Sequence, residues 1–165
     1  MTIRLEVPGD IHAIRAVTAA AFKDAAYSSQ TEARIIDALR GAGALSLSLV
    51  AEEQGRVVGH AAFSPVTIDG EAGRWFGLEP VSVEPAHQRR GIGEALIREG
   101  LNRLIAGGAE GCVVLGDPAY YGRFGFVSDP DLRFSDAPTE YFQRLSFGES
   151  RPKGEVSYHV GFNAR

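Results

Sequence analysis

The chain has 165 residues, 44% hydrophobic and 23% charged, with a formal net charge of −4, so it is long enough to bury one continuous core and has an ordinary globular composition. Its mild acidity gives no reason to expect a nucleic-acid or anionic-membrane partner. One cysteine, Cys112, excludes an intrachain disulfide, and the absence of a secretory pattern or of a ~20-residue apolar run predicts a cytoplasmic protein.

Thr2 to Val7 alternates as a short strand, broken by Pro8-Gly9-Asp10. Asp10 is the expected N-cap of a helix over 11–22, with Ile11, Ile14, Val17 and Ala21 along one stripe. A second helix is predicted over 30–40. Ser29 and Glu32 stand at capping-box spacing, with Ile35, Ile36 and Leu39 on the buried side. Leu45, Leu47 and Leu49 alternate with serines as a half-buried strand. Glu53-Gln54-Gly55 turns into a strand from Arg56 to Val66. Asp69-Gly70 turns into another, from about Trp75 to Val83, making an antiparallel meander.

The pattern then changes. Gly91 to Ala106 reads as a helix with Ile92, Leu96, Ile97, Leu101, Leu104 and Ile105 inward, ended by Gly107-Gly108. Cys112 to Leu115 is a short apolar run, as expected of a buried strand reached by a crossover helix. Asp117-Pro118 opens a short helix that Gly125 stops, and two strands are expected at 141–147 and 155–162. No linker interrupts this order, so residues 1–165 read as one α+β domain with a mixed sheet.

The segment Gln88-Arg89-Arg90-Gly91-Ile92-Gly93 lies between a strand and a helix N-terminus. Such a place gathers unsatisfied backbone N–H groups and the positive end of the helix dipole, and glycines let a ligand approach the backbone. The combination suits a phosphate or pyrophosphate. A Walker loop is excluded, because Gly93 is followed by Glu94-Ala95. A dinucleotide fingerprint is excluded, because Leu96 occupies the place of its third small residue. The glycines alone are equally compatible with a tight turn that binds nothing.

Val83 through Gly93 resembles the acyl-CoA signature of the GNAT superfamily of N-acetyltransferases, matching at Gln88, Gly91 and Gly93. Tyr121-Gly122-Arg123-Phe124-Gly125-Phe126 resembles that family's Tyr-x-x-x-Gly-Phe motif. Leu115 to Tyr121 is similar to a bacterial subgroup of predicted acetyltransferases. One departure is the short Gly116-Asp117-Pro118 connection, where many members carry Asn-x-x-Ala.

The resemblance implies a GNAT-like fold of about seven strands and four helices with splayed central strands. It implies acetyl-CoA as co-substrate, no metal, and direct attack by an amine in a ternary complex. The acceptor is a small-molecule or peptide amine; a homodimer is open. Backbone groups of Gln88, Arg89, Arg90, Gly91, Ile92, Gly93 and Glu94 would bind the pyrophosphate, and Val81, Ser82 and Val83 the pantetheine arm. Pro80, which lacks an N–H, favours a bulge that would open the sheet there. Val83 is the expected donor to the thioester carbonyl, an oxyanion-hole role worth ~3 kcal/mol.

Tyr121 matches the tyrosine that protonates the leaving thiolate; packing at the helix–sheet junction is the alternative. Glu79 is the nearest carboxylate for the base, directly or through water, with a surface-facing side chain as the alternative. Tyr120 is expected to be structural or substrate-facing. Cys112, Trp75 and Phe76 are expected in the core, His87 on an exposed loop, and His60 and His159 in the core, on the surface or at the substrate pocket. Acceptor choice is assigned to 24–44 and 127–155. A non-catalytic acyl-CoA-binding regulatory domain is the competing reading, and aminoacyl-tRNA acetylation a third that the net charge disfavours.

Overall fold

The computed structural model describes residues 1–26 and 28–165. β1 (Thr2–Leu5), β2 (Leu47–Glu53), β3 (Arg56–Ile68) and β4 (Glu71–Val83) form an antiparallel meander. Two tight turns set its register. Gln54-Gly55 and Asp69-Gly70 all take positive φ, between 51° and 79°, as a two-residue hairpin turn requires. Pairing therefore resumes at Glu71, earlier than the predicted Trp75.

Helices cover both faces. α1 (Ile11–Phe22) and α2 (Glu32–Gly41) lie on one face, where Ile14, Ile36 and Val50 form a small core. α3 (Ile92–Ala106) lies on the other, placing Leu96, Ile97 and Leu101 with Phe63, Leu78 and Cys112. Gly100 lets α3 approach β3 closely, because the Phe63 ring occupies the space a side chain would need. α3 delivers the chain to β5 (Gly111–Leu115), parallel to β4. There follow α4 (Pro118–Tyr121), β6 (Val127–Ser128), β7 (Leu132–Arg133), β8 (Phe142–Ser146) and β9 (Gly154–Tyr158). The strand order is β1-β2-β3-β4-β5-β8-β6, with β9 along the far end of β3 and β7 beside β9.

The mixed α+β architecture is as expected, with nine strands among the described residues instead of about seven. The additional β6 and β7 have two residues each, too short for a periodic signal. β1 stops at Leu5, and the strand expected over 155–162 ends at Tyr158, followed by a 3-10 turn at Val160–Asn163. Asp10 does not cap α1. Its buried carboxylate accepts from the Val7 N–H at 2.8 Å and from Arg4. At α2 the N-cap position is Thr31, and it is Ser28, not Ser29, whose hydroxyl donates to Glu32, at 2.7 Å.

One irregularity positions the site. β4 pairs with β5 only at Trp75–Gly77 against Gly111–Val113, and beyond that point the strands diverge. Leu78 to Val83 therefore have β3 on one side and no strand on the other. Glu79 and Pro80 together oppose Ala62, since Phe63 pairs with Leu78 and Ala61 with Val81; this is the bulge expected at Pro80. The Glu79–Pro80 peptide bond is cis.

Candidate acyl-transfer site

The open edge of β4 runs into the loop before α3. Glu84 N–H donates to the Val58 carbonyl, so Glu84 and, two residues back, Ser82 direct their backbone groups toward β3. By strand alternation Val81 and Val83 direct theirs toward the divergent side. Ser82 is turned away, with its side chain 1% exposed and its backbone paired with His60. The Val83 carbonyl accepts from the Gln88 side-chain amide at 3.0 Å. Gln88 thus braces the loop against β4 rather than offering its amide to a ligand.

The loop is built as an anion cradle. Gly91 at the N-cap of α3 has φ 82°, a left-handed conformation that glycine adopts without steric cost, and no side chain caps the helix. Among the described residues no backbone N–H from Arg89 to Glu94 reaches a protein acceptor. A cavity of about 320 Å³ opens over them, lined also by Val83, His87, Tyr120 and Arg123. Unpaired N–H groups at a helix start are the donor set a pyrophosphate needs. Arg89 lines this cavity; Arg90 is exposed and does not. Neither guanidinium has an ion-pair partner among the described residues. Ile92 buries its side chain in the core, so only its backbone is available.

Tyr120 is a cavity wall, a role its sequence position did not reveal. The Arg123 guanidinium stacks over its ring at 4.4 Å and lies 3.3 Å from Glu94. The i,i+3 spacing of Tyr120 and Arg123 on one helical turn was the available signal. His87 is not an exposed loop residue. It is partly buried, 3.0 Å from Glu84 and 3.6 Å from Glu53, and it lines the same cavity.

The divergent end holds the titratable groups. Glu79 is half-buried on the bulge, with no hydrogen-bond or ion-pair partner among the described residues. Burial, and then the charge of Glu32, push its carboxyl up to about 7. Tyr121 leaves α4 beside the end of β5, where its ring fills the space over Gly116. It also meets Tyr120 at 5.0 Å and Phe126 at 6.0 Å between ring centroids. The ring packing expected as the alternative for Tyr121 is therefore present.

Tyr158 of β9 reaches the same end, and nothing in its local sequence marked it. Its ring lies on Gly77, where a side chain would come within 2.6 Å of Cε1. Gly77 is the last β4 residue that pairs with β5, so the ring sits at the fork of the sheet.

Other candidates fall outside the site. Cys112 is fully buried and burial pushes its thiol up, which makes it inert. Trp75 is in the core with its indole N–H 3.4 Å from the Ser150 hydroxyl. His60 is buried, 2.7 Å from the Ser48 hydroxyl, and burial lowers it to about 4. His159 Nδ1 accepts from the Gly161 N–H at the start of the last turn. Position 27, inside the stretch 24–44 assigned to acceptor choice, lies outside the described residues.

Comparison with known proteins agrees with this geometry. The acetyltransferase (GNAT) domain profile matches residues 45–128. The uncharacterised N-acetyltransferase YhbS of Escherichia coli is 38% identical, with the alignment covering 99% of each chain. A crystal structure of a GNAT family acetyltransferase from Brucella melitensis in complex with acetyl-CoA is 55% identical over 98% of this chain and 97% of that one, with a TM-score of 0.89. The structure of YhbS from E. coli in complex with CoA is 37% identical over 98% and 91% of the two chains, with a TM-score of 0.90. A family signature spanning the meander, the cradle and the Tyr121 motif, together with full-length likeness on both sequence and structure, means that this chain belongs to the GNAT family of acetyltransferases.

Proposed function

We propose that the chain is a single-domain enzyme that transfers an acetyl group from acetyl-CoA to an amine by direct attack in a ternary complex. The observation that carries this reading is the continuous path from the unpaired N–H groups at 89–94, along the free edge of β4, to Glu79 at the fork. A ligand with a diphosphate at one end and an extended arm matches that path. The acetyl-CoA and CoA complexes of the two full-length relatives support the same choice.

Acetyl-CoA, when bound, supplies an activated acyl group as a thioester. Val81 and Val83 offer backbone groups to its arm. Val83 lies beside the loop, with its carbonyl already held by Gln88, whereas Val81 lies next to the bulge and Glu79. We therefore assign the donor that polarises the acyl carbonyl to the Val81 N–H, in place of the Val83 N–H expected from the motif.

Glu79 takes one proton from the incoming ammonium and passes it to solvent. A carboxyl near 7 is matched to that task at neutral pH. The amine nitrogen then bonds to the carbonyl carbon and the carbon–sulfur bond breaks. Tyr121 protonates the sulfur, and the second nitrogen proton restores the tyrosine.

The test is CoA release with a panel of amines, with acetylated products identified by mass spectrometry. The expected result is CoA release that depends on an amine and yields its acetamide. Tight acetyl-CoA binding with no turnover on any amine would overturn the reading in favour of a non-catalytic acyl-CoA-binding domain.

A further inference from the structure

The turn that carries Tyr121 is short. α4 has four residues, Pro118–Tyr121, and runs straight into a 3-10 turn at Gly122–Phe124. A helix of that length has no stability of its own, so its place is set by what it touches. Its start is tied to the sheet. The Gly116 N–H donates to the Tyr141 carbonyl at 2.9 Å, and the Gly116 carbonyl accepts from the buried Gln143 amide at 3.1 Å. Asp117 caps the turn by accepting from the Ala119 N–H at 2.9 Å. None of these contacts involves α3, whose first turn forms part of the cradle.

The link to α3 is made by Arg123. Its Nε donates to the Tyr120 carbonyl at 3.0 Å, its guanidinium stacks over the Tyr120 ring at 4.4 Å, and its Nη1 donates to the Glu94 carboxylate at 3.3 Å. Glu94 stands in the first turn of α3, and its backbone N–H is one of the cradle groups. Arg98, one turn further along α3, reaches the same carboxylate at 3.5 Å and lies over the Phe124 ring at 4.9 Å. Tyr120 completes the connection. Its hydroxyl lies 3.4 Å from the place a Cβ on Gly93 would take, and its ring meets that of Tyr121 edge-on at 5.0 Å.

These contacts run without a gap from the cradle helix through Glu94, Arg123 and Tyr120 to Tyr121. An exposed ion pair alone holds little. Here a planar fork adds a backbone bond and an aromatic stack to it, a combination that arginine supplies and lysine does not. Phe124 anchors the end of the turn in the core, beyond Tyr121, whereas Arg123 grips the residue immediately before it. The two joined elements carry two halves of one proton transfer. The cradle fixes the cofactor that bears the sulfur, and α4 carries the hydroxyl that would protonate it. A general acid must lie within hydrogen-bond reach of its target, and a small displacement costs rate.

We propose that Arg123 is a positioning residue, which locks the Tyr121 turn onto the first turn of α3 through Glu94 and so sets the acid relative to the cofactor held by that helix. The inference rests on the reading of Tyr121 as the acid and supplies what aims it.

The experiment measures the single-turnover rate of acetyl transfer to an amine that the panel above shows to be acetylated. Acetyl-CoA is saturating, so that changes in cofactor affinity drop out. Arg123→Gln should lower this rate by about fivefold, less than removal of the acid itself. Glu94→Gln should lower it by a similar factor, because the same link is cut from the α3 side. In a Tyr121→Phe background neither change should have a further effect, since no acid remains to be aimed. An unchanged rate in either single variant, or the same fall in the Tyr121→Phe background, would overturn the proposal. A wild-type rate for Tyr121→Phe alone would show that the acid assignment has failed, and the positioning role would fall with it. If no amine is acetylated, the acetyltransferase reading fails on its own account, and amide hydrogen exchange decides the link. CoA should then slow exchange over residues 118–126 more in the wild type than in Arg123→Gln; equal slowing in both overturns it.

Discussion

The two ends of the site are made of different material. The anion cradle is backbone: N–H groups of consecutive residues from Arg89 to Glu94, presented by one turn and one helix start. The divergent end is side chains: Glu79 from the β4 bulge, Tyr121 from α4 and Tyr158 from β9. A backbone site tolerates exchange of most side chains around it and holds one constant ligand. A side-chain site assembled from three elements can change its specificity residue by residue while the cradle stays the same. That division suits an enzyme whose donor is shared across a family and whose acceptor is its own.

Substitutions at the two ends should therefore fail in different ways, and the largest effect is expected at Tyr121. Tyr121→Phe should lower kcat by roughly 10²-fold with acetyl-CoA affinity near wild type, as for loss of a general acid. Stopped-flow or initial-rate data beside a binding titration would show the split. Equal losses in rate and affinity would place Tyr121 in the cradle instead.

Glu79→Gln should come next, at about tenfold to a hundredfold in kcat/KM for the amine. In the wild type, kcat/KM should fall as pH drops below about 7, because protonation removes the base. The variant should lose that limb. A wild-type profile that is flat from pH 5 to 8 would contradict the assignment.

The cradle is tested by Gly93→Leu. The space beside Gly93 is bounded by the Tyr120 hydroxyl at 3.4 Å and Val83 at 3.7 Å, so a leucine must extend toward the cavity. Acetyl-CoA Kd should rise about tenfold, through lost N–H contacts, while the acceptor KM at saturating acetyl-CoA stays unchanged. Unaltered Kd would remove the loop from the ligand.

The smallest effect is on stability. The folded protein holds Glu79 with a raised pKa, so any stabilisation it contributes is complete below the ordinary carboxylate value of 4.5 and is lost as pH rises through about 7. Glu79→Gln should accordingly be more stable than wild type by about 1–2 kcal/mol at pH 8, and the difference should vanish near pH 4. Denaturation midpoints at the two pH values measure it.

Local signals served well where structure is local. Asp69-Gly70, the Pro80 bulge and the α3 stripe from Ile92 to Leu104 lie where alternation, helical spacing and turn chemistry place them, whereas Ile105, expected inward, is 50% exposed at the last turn of α3. Caps were less legible. Asp10 has the right residue type, but Arg4 and the Val7 N–H compete for its carboxylate, and nothing near Asp10 in the sequence announces Arg4 as its partner. The proposed choice of Val81 over Val83 as carbonyl donor has a similar origin, because which of the two lies next to the bulge follows from the β3 register.

The sequence by itself determined the cofactor end. An anion cradle needs only a strand, glycines and a helix start in succession, and all of these lie within thirteen residues from Val81 to Gly93. The tertiary structure decided the divergent end. Glu79 and Tyr158 are 79 positions apart, and no motif links them. They come to the same end of the sheet only because β9 lays the Tyr158 ring on Gly77, where β4 and β5 part. Backbone donors are specified by local conformation, whereas an unpaired carboxylate and a tyrosine ring acquire meaning only from what surrounds them.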